Sequence, residues 1–263
     1  MSGDLVGKFD LTGRVAVVTG AGSGIGRGTA LALRALGCTI VVGDLDLAKG
    51  EITVEQLGGP DAACAIELDV TDPASCAALA EATIARYGRL DFLVNSAGVY
   101  PSRPVLDVDE AHWDLIIDVN LKGTFFMSQA CARAMVAAGN GGSIVNISSW
   151  RGLHADKAVS VYSASKAGVI SLTVSMAQAL AEHRVRVNVV APGVIYTEAT
   201  DQASKALSQT GVSVKQMQEE FAKTIPLQRF GLPSDVADAV AFLVSDASTY
   251  MTGSVVSVDG GGY

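Results

Sequence analysis

The sequence predicts one doubly wound α/β domain, a seven-stranded parallel sheet with helices on both faces. Three observations predict it. Short valine-rich runs alternate with helical stretches along the whole chain, the order that builds right-handed βαβ units. Hydrophobic residues make up 49 % of the 263 and charged ones only 17 %, as strands covered on both faces require. A glycine-rich loop joins the first strand to the first helix, where an open parallel sheet receives its ligand.

Each element follows from local chemistry. Residues 14–19 form a valine-rich first strand, the loop follows, and an amphipathic helix covers 24–36. Residues 39–44 are the second strand and 62–68 a weaker third. Asp72 and Pro73 start a helix as N-cap and first-turn residue. Strands four and five are 90–95 and 143–148. A helix of small residues spans 160–182, and 185–190 is the sixth strand. Ser234 and Asp235 cap a last helix, and 254–258 is the seventh strand. Residues 198–224 break the rhythm. This polar, alanine-rich tract exceeds the ~12–15 residues of an ordinary connection and is expected to form a substrate-binding lid with one or two short helices, within a single domain over 1–263.

The composition also excludes functions. A net charge of −8 argues against nucleic acid or an anionic membrane as partner. No apolar run approaches the ~18 residues of a membrane span, and the first residues carry an early acid with no apolar leader core. Cys38, Cys64, Cys76 and Cys131 are widely spaced and read as core fillers in a reducing cytoplasm. His112, His154 and His183 lie too far apart for a metal site, so no metal is expected.

The loop Thr19-Gly20-Ala21-Gly22-Ser23-Gly24-Ile25-Gly26 lets backbone N–H groups approach a pyrophosphate at a helix N-terminus. Asp44 ends the second strand 18 residues past Gly26, where a carboxylate accepts hydrogen bonds from both ribose hydroxyls of an adenosine. The same charge repels a 2′-phosphate, and no arginine stands at Ser23 or Leu45 to neutralise one. The expected cofactor is therefore NAD. Asp46 falls after the strand and reads as a helix-start residue.

The spacing TGxxxGxG resembles the short-chain dehydrogenase/reductase family, a Rossmann-fold family, and further motifs follow in order over about residues 8–262. Asp69-Val70 matches the pair that flanks the adenine. Asn95-Ser96-Ala97-Gly98 resembles the family's NNAG motif, with Ser96 in place of the second asparagine. Asn120 resembles the active-site asparagine, Ser149 stands 13 residues before Tyr162, and Tyr162 to Lys166 is YxxxK. Ser149 rather than the adjacent Ser148 has the required spacing; Ser148 should end its strand with the side chain turned elsewhere. Pro192-Gly193-Val194-Ile195-Tyr196-Thr197 resembles the loop that holds the nicotinamide amide. The resemblance implies catalysis by Asn120, Ser149, Tyr162 and Lys166. It implies cofactor contacts from Gly20, Ser23, Gly24, Ile25, Gly26, Asp44, Asp69, Val70, Asn95, Ala97, Gly98, Tyr162, Lys166, Pro192, Gly193, Ile195 and Thr197. It further implies a homotetramer built through the 160–182 helix and the C-terminal helix and strand.

Tyr162 and Lys166 leave one face of a helix, four residues apart. A nearby ammonium should lower the phenol from its ordinary value of about 10 so that it can accept a carbinol proton. Ser149 would orient the same oxygen, Lys166 would anchor the nicotinamide ribose, and by resemblance Asn120 would hold a water linking Lys166 to solvent. The small-molecule substrate is expected against Ser149, Arg151, Tyr162 and Gly193, with walls from the loop Val99 to Arg103, the segment between Ser149 and Tyr162, and the lid. Tyr100, Trp150 and Leu153 suit an alicyclic or aromatic alcohol, whereas Arg103, Arg151 and His154 suit a polyol, sugar or carboxylate. The activity so implied is hydride transfer between NAD(H) and a secondary alcohol or ketone. An NADPH-dependent 3-oxoacyl reductase and a non-catalytic dinucleotide sensor are the alternatives. A sugar epimerase or dehydratase can share YxxxK, but usually carries a larger substrate domain.

Overall fold

A computed structural model of the chain describes residues 5–198, 200 and 219–262. The strands are β1 (Val15–Thr19), β2 (Thr39–Asp44), β3 (Ala63–Glu67), β4 (Phe92–Asn95), β5 (Gly142–Ile147), β6 (Val185–Pro192) and β7 (Val255–Val258). They form one parallel sheet in the order β3-β2-β1-β4-β5-β6-β7. The doubly wound, seven-stranded expectation is met, with strand limits within two residues of those read from the sequence.

Alternate residues of the central strands feed two cores. Ala16 and Val18 of β1, with Ile40 and Val42 of β2, face one layer of helices; Val15, Val17 and Val41 face the other. The first layer holds α1 (Gly24–Ala35), α2 (Leu47–Gln56) and α7 (Pro233–Val244), packed through Ala30, Leu33, Val236 and Val240. The second holds α3 (Pro73–Tyr87), α5 (Gly123–Ala138) and α6 (Ser160–Leu180), packed through Leu79, Met127, Met135 and Ala177. Strand β7 is the exception to two-sided cover. Its Val256 and Val258 pack inward, while Val255 is exposed. No helix among the described residues is long and apolar enough to cross a membrane.

Helix starts follow the capping chemistry, with one correction. Asp72 accepts from Ala74 N–H at 2.9 Å with Pro73 in the first turn, and Asp46 caps α2 by accepting from Lys49 N–H. For α7 the expected Ser234-Asp235 cap is displaced. The N-cap is Leu232, and Asp235 sits at the third helical position, accepting from the Leu232 N–H at 2.6 Å. Pro233 fixes the first turn, which moves the start two residues earlier. The sequence reading placed no helix between β4 and β5, yet α4 (Glu110–Ile117) and α5 lie there, joined by a π-helical turn at Asp118–Lys122. Asp109 gave the signal: its Oδ1 accepts from His112 N–H at 2.8 Å as the N-cap of α4.

A buried polar network anchors α6 to the sheet. Asn95 Nδ2 donates to Ser128 Oγ and Asn146 Oδ1, both at 2.8 Å, and Asn146 Nδ2 donates to Thr173 Oγ1 at 2.9 Å. Strands β4 and β5 are thereby tied to α5 and α6 at fully buried positions. Truncating Asn146 removes one partner each from the Asn95 amide and the Thr173 hydroxyl at buried positions, where an unmet group costs about 1–3 kcal/mol. Asn146→Ala is therefore expected to lower stability by about 2–4 kcal/mol, read as a drop in the urea midpoint with the slope unchanged.

Candidate active site

Strands β1 and β4 are neighbours, and the chain reverses its winding between them. Crevices at such switch points, beyond the carboxyl ends of the strands, are where open α/β sheets bind ligands. Thr19, the last residue of β1, ties the crevice together. Its Oγ1 accepts from both Ser96 N–H and Ala97 N–H at 3.0 Å, which fixes the loop after β4 against the glycine loop. The contact uses only the backbone of Ser96, so serine serves there as well as asparagine. Gly20 has φ +63°, and a Cβ on it would lie 2.8 Å from Ala97 Cα. Glycine is required there by conformation and by space.

A cleft of about 800 Å³ opens over this floor and runs from Asp44 to Arg151. Asp44 ends β2 at one extremity, its Oδ2 accepting from Gly22 N–H at 2.8 Å and its Oδ1 from Asp46 N–H at 3.0 Å. Asp69 and Val70 line the same end, and Gly24, Ile25 and Gly26 present the N-terminus of α1. Glu198, read from the sequence as the first residue of the lid, has docked on that N-terminus. Its Oε2 accepts from Gly24 N–H at 3.2 Å, and its Oε1 pairs with Arg27 at 3.0 Å. Nothing in the sequence pattern signalled this contact. Of the expected lid, residues 199 and 201–218 lie outside the described residues.

At the other end Ser149, Tyr162 and Lys166 converge. Ser149 leaves β5 as the N-cap of a short 3₁₀ turn, Trp150–Gly152, its Oγ accepting from Arg151 N–H at 3.1 Å. Ser148 turns away as expected, donating to the Lys166 carbonyl at 2.8 Å. Lys166 is 5 % exposed; its Nζ donates to Ile147 O at 2.9 Å and lies 5.8 Å from the Tyr162 ring centre. Burial brings the Lys166 ammonium down to about 8. Burial also raises the Tyr162 phenol, and the Ser149 hydrogen bond offsets part of the rise. In the free protein the direction is thus set by burial. Both groups are desolvated together, so each favours its neutral form.

Asn120 stands in the π turn, fully buried. Its Oδ1 accepts from Val99 N–H, and its Nδ2 donates to Val99 O (both 2.9 Å) and to Ser165 Oγ at 3.2 Å. Both amide protons are thus used within the protein. The residue fixes the loop after β4. That fixing is tight: a Cβ on Gly98 would lie 3.2 Å from Asn120 Oδ1 and 3.5 Å from Lys166 Nζ.

A family model described as Enoyl-(Acyl carrier protein) reductase matches residues 20–262. The chain belongs to the short-chain dehydrogenase/reductase family. It is 39 % identical to the 3-oxoacyl-(acyl-carrier-protein) reductase FabG of Thermotoga maritima, over 95 % of this chain and 98 % of the relative. It is 36 % identical to galactitol 2-dehydrogenase of Agrobacterium fabrum, over 96 % and 98 %. A solved short-chain type dehydrogenase/reductase from Mycobacterium marinum superposes with a TM-score of 0.89 at 34 % identity, covering 98 % of each chain.

Within this short-chain dehydrogenase/reductase, nearly every residue expected at the site lines the one cleft. Gly20, Ser23, Gly24, Ile25, Gly26, Asp44, Asp69, Val70, Ala97, Gly98, Pro192, Gly193, Ile195 and Thr197 do so on the dinucleotide side, and Ser149, Arg151, Tyr162 and Lys166 on the other. Asn95 and Asn120 do not. The Asn95 amide is turned into the interior network described above, and that of Asn120 to Val99 and Ser165. Trp150 and Tyr100 line the cleft, whereas Leu153, Arg103 and His154 do not. From the segment between Ser149 and Tyr162, expected as a wall, Asp156 and Val159 also line the cleft, although neither was singled out from the sequence. The family's nicotinamide dinucleotide fits the residues present: glycines where a Cβ would clash, free N–H groups at a helix N-terminus and a carboxylate at the ribose end. Lys166 is expected to titrate near 8 in the free protein, well below the ordinary lysine value of about 10.4. The ¹³Cε resonance of Lys166, assigned with Lys166→Met, should show that midpoint; a shift that stays flat to pH 10 would contradict it.

Proposed function

We propose that this chain is an NAD-dependent dehydrogenase of a secondary alcohol, working reversibly between carbinol and ketone in the cytoplasm. One observation carries the reading: Asp44 and the Ser149–Tyr162–Lys166 group stand at opposite ends of a single cleft. The nicotinamide, when bound, supplies the hydride acceptor and a positive charge near the phenol.

The chain's own residues do the rest. Tyr162 takes the carbinol proton, or returns it to the alkoxide in the reverse direction. Ser149 is aimed by Arg151 N–H, so its hydroxyl orients the substrate oxygen. Lys166, held by Ile147 O, anchors the ribose and contributes charge below about pH 8. Asn120 holds Val99 and, through it, the loop that shapes the cleft. Asp44 selects NAD, because its carboxylate repels a 2′-phosphate and no cation among the described residues lines the cleft beside it. Buried Cys38, Cys76 and Cys131, whose thiols burial pushes up, fit a reducing compartment. Association as a homotetramer would cover Val174 of α6 and Val255 of β7, both more than a third exposed; the mass in solution tests it.

The likeness to the Thermotoga maritima enzyme favours a second reading, an NADPH-dependent 3-oxoacyl reductase. Cofactor preference separates the two. The wild type should use NADH at least about 100-fold better than NADPH in kcat/KM, and Asp44→Ala should cut that ratio at least tenfold by removing ~1.4 kcal/mol or more of discrimination. An NADPH preference in the wild type would favour the second reading. Tyr162→Phe should lower kcat by about 10²–10⁴ while NADH fluorescence titration gives a Kd within a few-fold of wild type. A Tyr162→Phe enzyme of normal turnover would remove the proposed chemistry.

A further inference from the structure

We propose that Arg151 and Asp156 form a recognition site for a neutral, polyhydroxylated substrate, gripping a hydroxyl distant from the reacting carbinol and disfavouring carboxylates. The inference rests on the proposed dehydrogenase reading and narrows its substrate class.

Position is the first argument. Arg151 lies two residues after Ser149 and Asp156 six before Tyr162, and both side chains line the same cleft as those hydroxyls. The second is construction. Arg151 Nη2 meets Asp156 Oδ2 at 2.5 Å, and the guanidinium carbon stands 4.1 Å over the centre of the Trp150 ring. Asp156 is fixed from its own backbone as well: Oδ1 accepts from Ala158 N–H at 2.8 Å, and its N–H donates to Ser163 Oγ of α6 at 3.4 Å. Both side chains are only about a quarter exposed. A stacked, paired arginine of this kind presents its remaining N–H groups in a set direction.

Charge decides the class of ligand. The pair sums to zero. The other cation lining the cleft, Lys166, is turned to Ile147 O, and Arg103 is paired with Asp109 at 2.6 Å outside the lining. No uncompensated guanidinium therefore stands at this end, among the described residues, to hold a carboxylate. A carboxylate could accept from Arg151 only by approaching Asp156, a like charge. A hydroxyl meets no such conflict. It donates to Asp156 and accepts from Arg151 at once, the use of both functions that a donor–acceptor pair rewards. Trp150, Tyr100 and Leu115 supply apolar wall for the carbon skeleton.

The test compares the full-length enzyme with Arg151→Met and Asp156→Asn on sorbitol, gluconate and cyclohexanol, with NAD as acceptor. The wild type should favour sorbitol over gluconate at least tenfold in kcat/KM. Arg151→Met should lose at least tenfold more on sorbitol than on cyclohexanol. Asp156→Asn keeps an Oδ1 for Ala158 N–H but leaves the guanidinium uncompensated. It should move the sorbitol-to-gluconate ratio at least tenfold toward gluconate, and 0.5 M salt should shrink that change. A pair that merely braces the 150–159 connection would lower all three substrates in parallel. That outcome overturns the proposal, as does an unchanged ratio in Asp156→Asn, a wild-type preference for gluconate, or wild-type oxidation of cyclohexanol alone. A wild type that binds NADH yet oxidises none of the three overturns the dehydrogenase reading along with it.

Discussion

The structure depends on one close approach, that of the β1–α1 turn to the backbone after β4. A Cβ on Gly26 would lie 2.3 Å from the carbonyl oxygen of Gly20, and one on Gly20 would press on Ala97 Cα. With both positions bare, Thr19 can bridge the two loops through its hydroxyl. The floor of the cleft is then backbone, with its N–H groups at the N-terminus of α1 facing the ligand space. Two further glycines extend the same logic along the cleft. A Cβ on Gly22 would enter the Asp44 carboxylate, and one on Gly98 would crowd Asn120 and Lys166. The glycines thus hold the ribose end and the reacting end to one scale.

Desolvation sets the chemistry as closely as sterics set the floor. Lys166 and Tyr162 share one buried face of α6, and burial works against charge on both. Proximity along a helix is therefore insufficient to make a base of the phenol. The Ser149 hydrogen bond supplies part of the offset within the protein, and positive charge near the phenol supplies more when the cofactor is bound. The phenol therefore keeps its proton in the free protein, while the Lys166 ammonium is charged below about pH 8.

What the sequence revealed and what it hid follow from the range of the forces involved. Asp44, the glycine loop, and the Ser149, Tyr162 and Lys166 spacings were legible because each is set within one strand, turn or helix. The helices on either side of Asn120 were not, since a π turn blurs the apolar period that would mark one continuous helix. The amide of Asn95 sits in a motif whose spacing matched, yet it points into the interior, because its partners Ser128 and Asn146 come from 33 and 51 residues away. Asp156 was legible only as part of a segment expected to wall the pocket. It carries no motif of its own, and only the turn of the 150–159 connection brings it to Arg151.

An acidic chain that binds an anionic dinucleotide needs positive potential from somewhere. The cleft offers little from side chains. Among the described residues its lining cations are Arg151, paired with Asp156, and Lys166, turned to Ile147 O, against the acids Asp44, Asp69 and Asp156. The remaining source is the backbone, through the dipole and unpaired N–H groups at the start of α1. The carboxylate of Glu198 has already found that source, bonding Gly24 N–H with Arg27 as its counter-ion. A carboxylate and a phosphate call on the same donors, so the contact marks where this protein keeps its anion-binding capacity. It also explains how a chain of net charge −8 can bind phosphate without a basic patch.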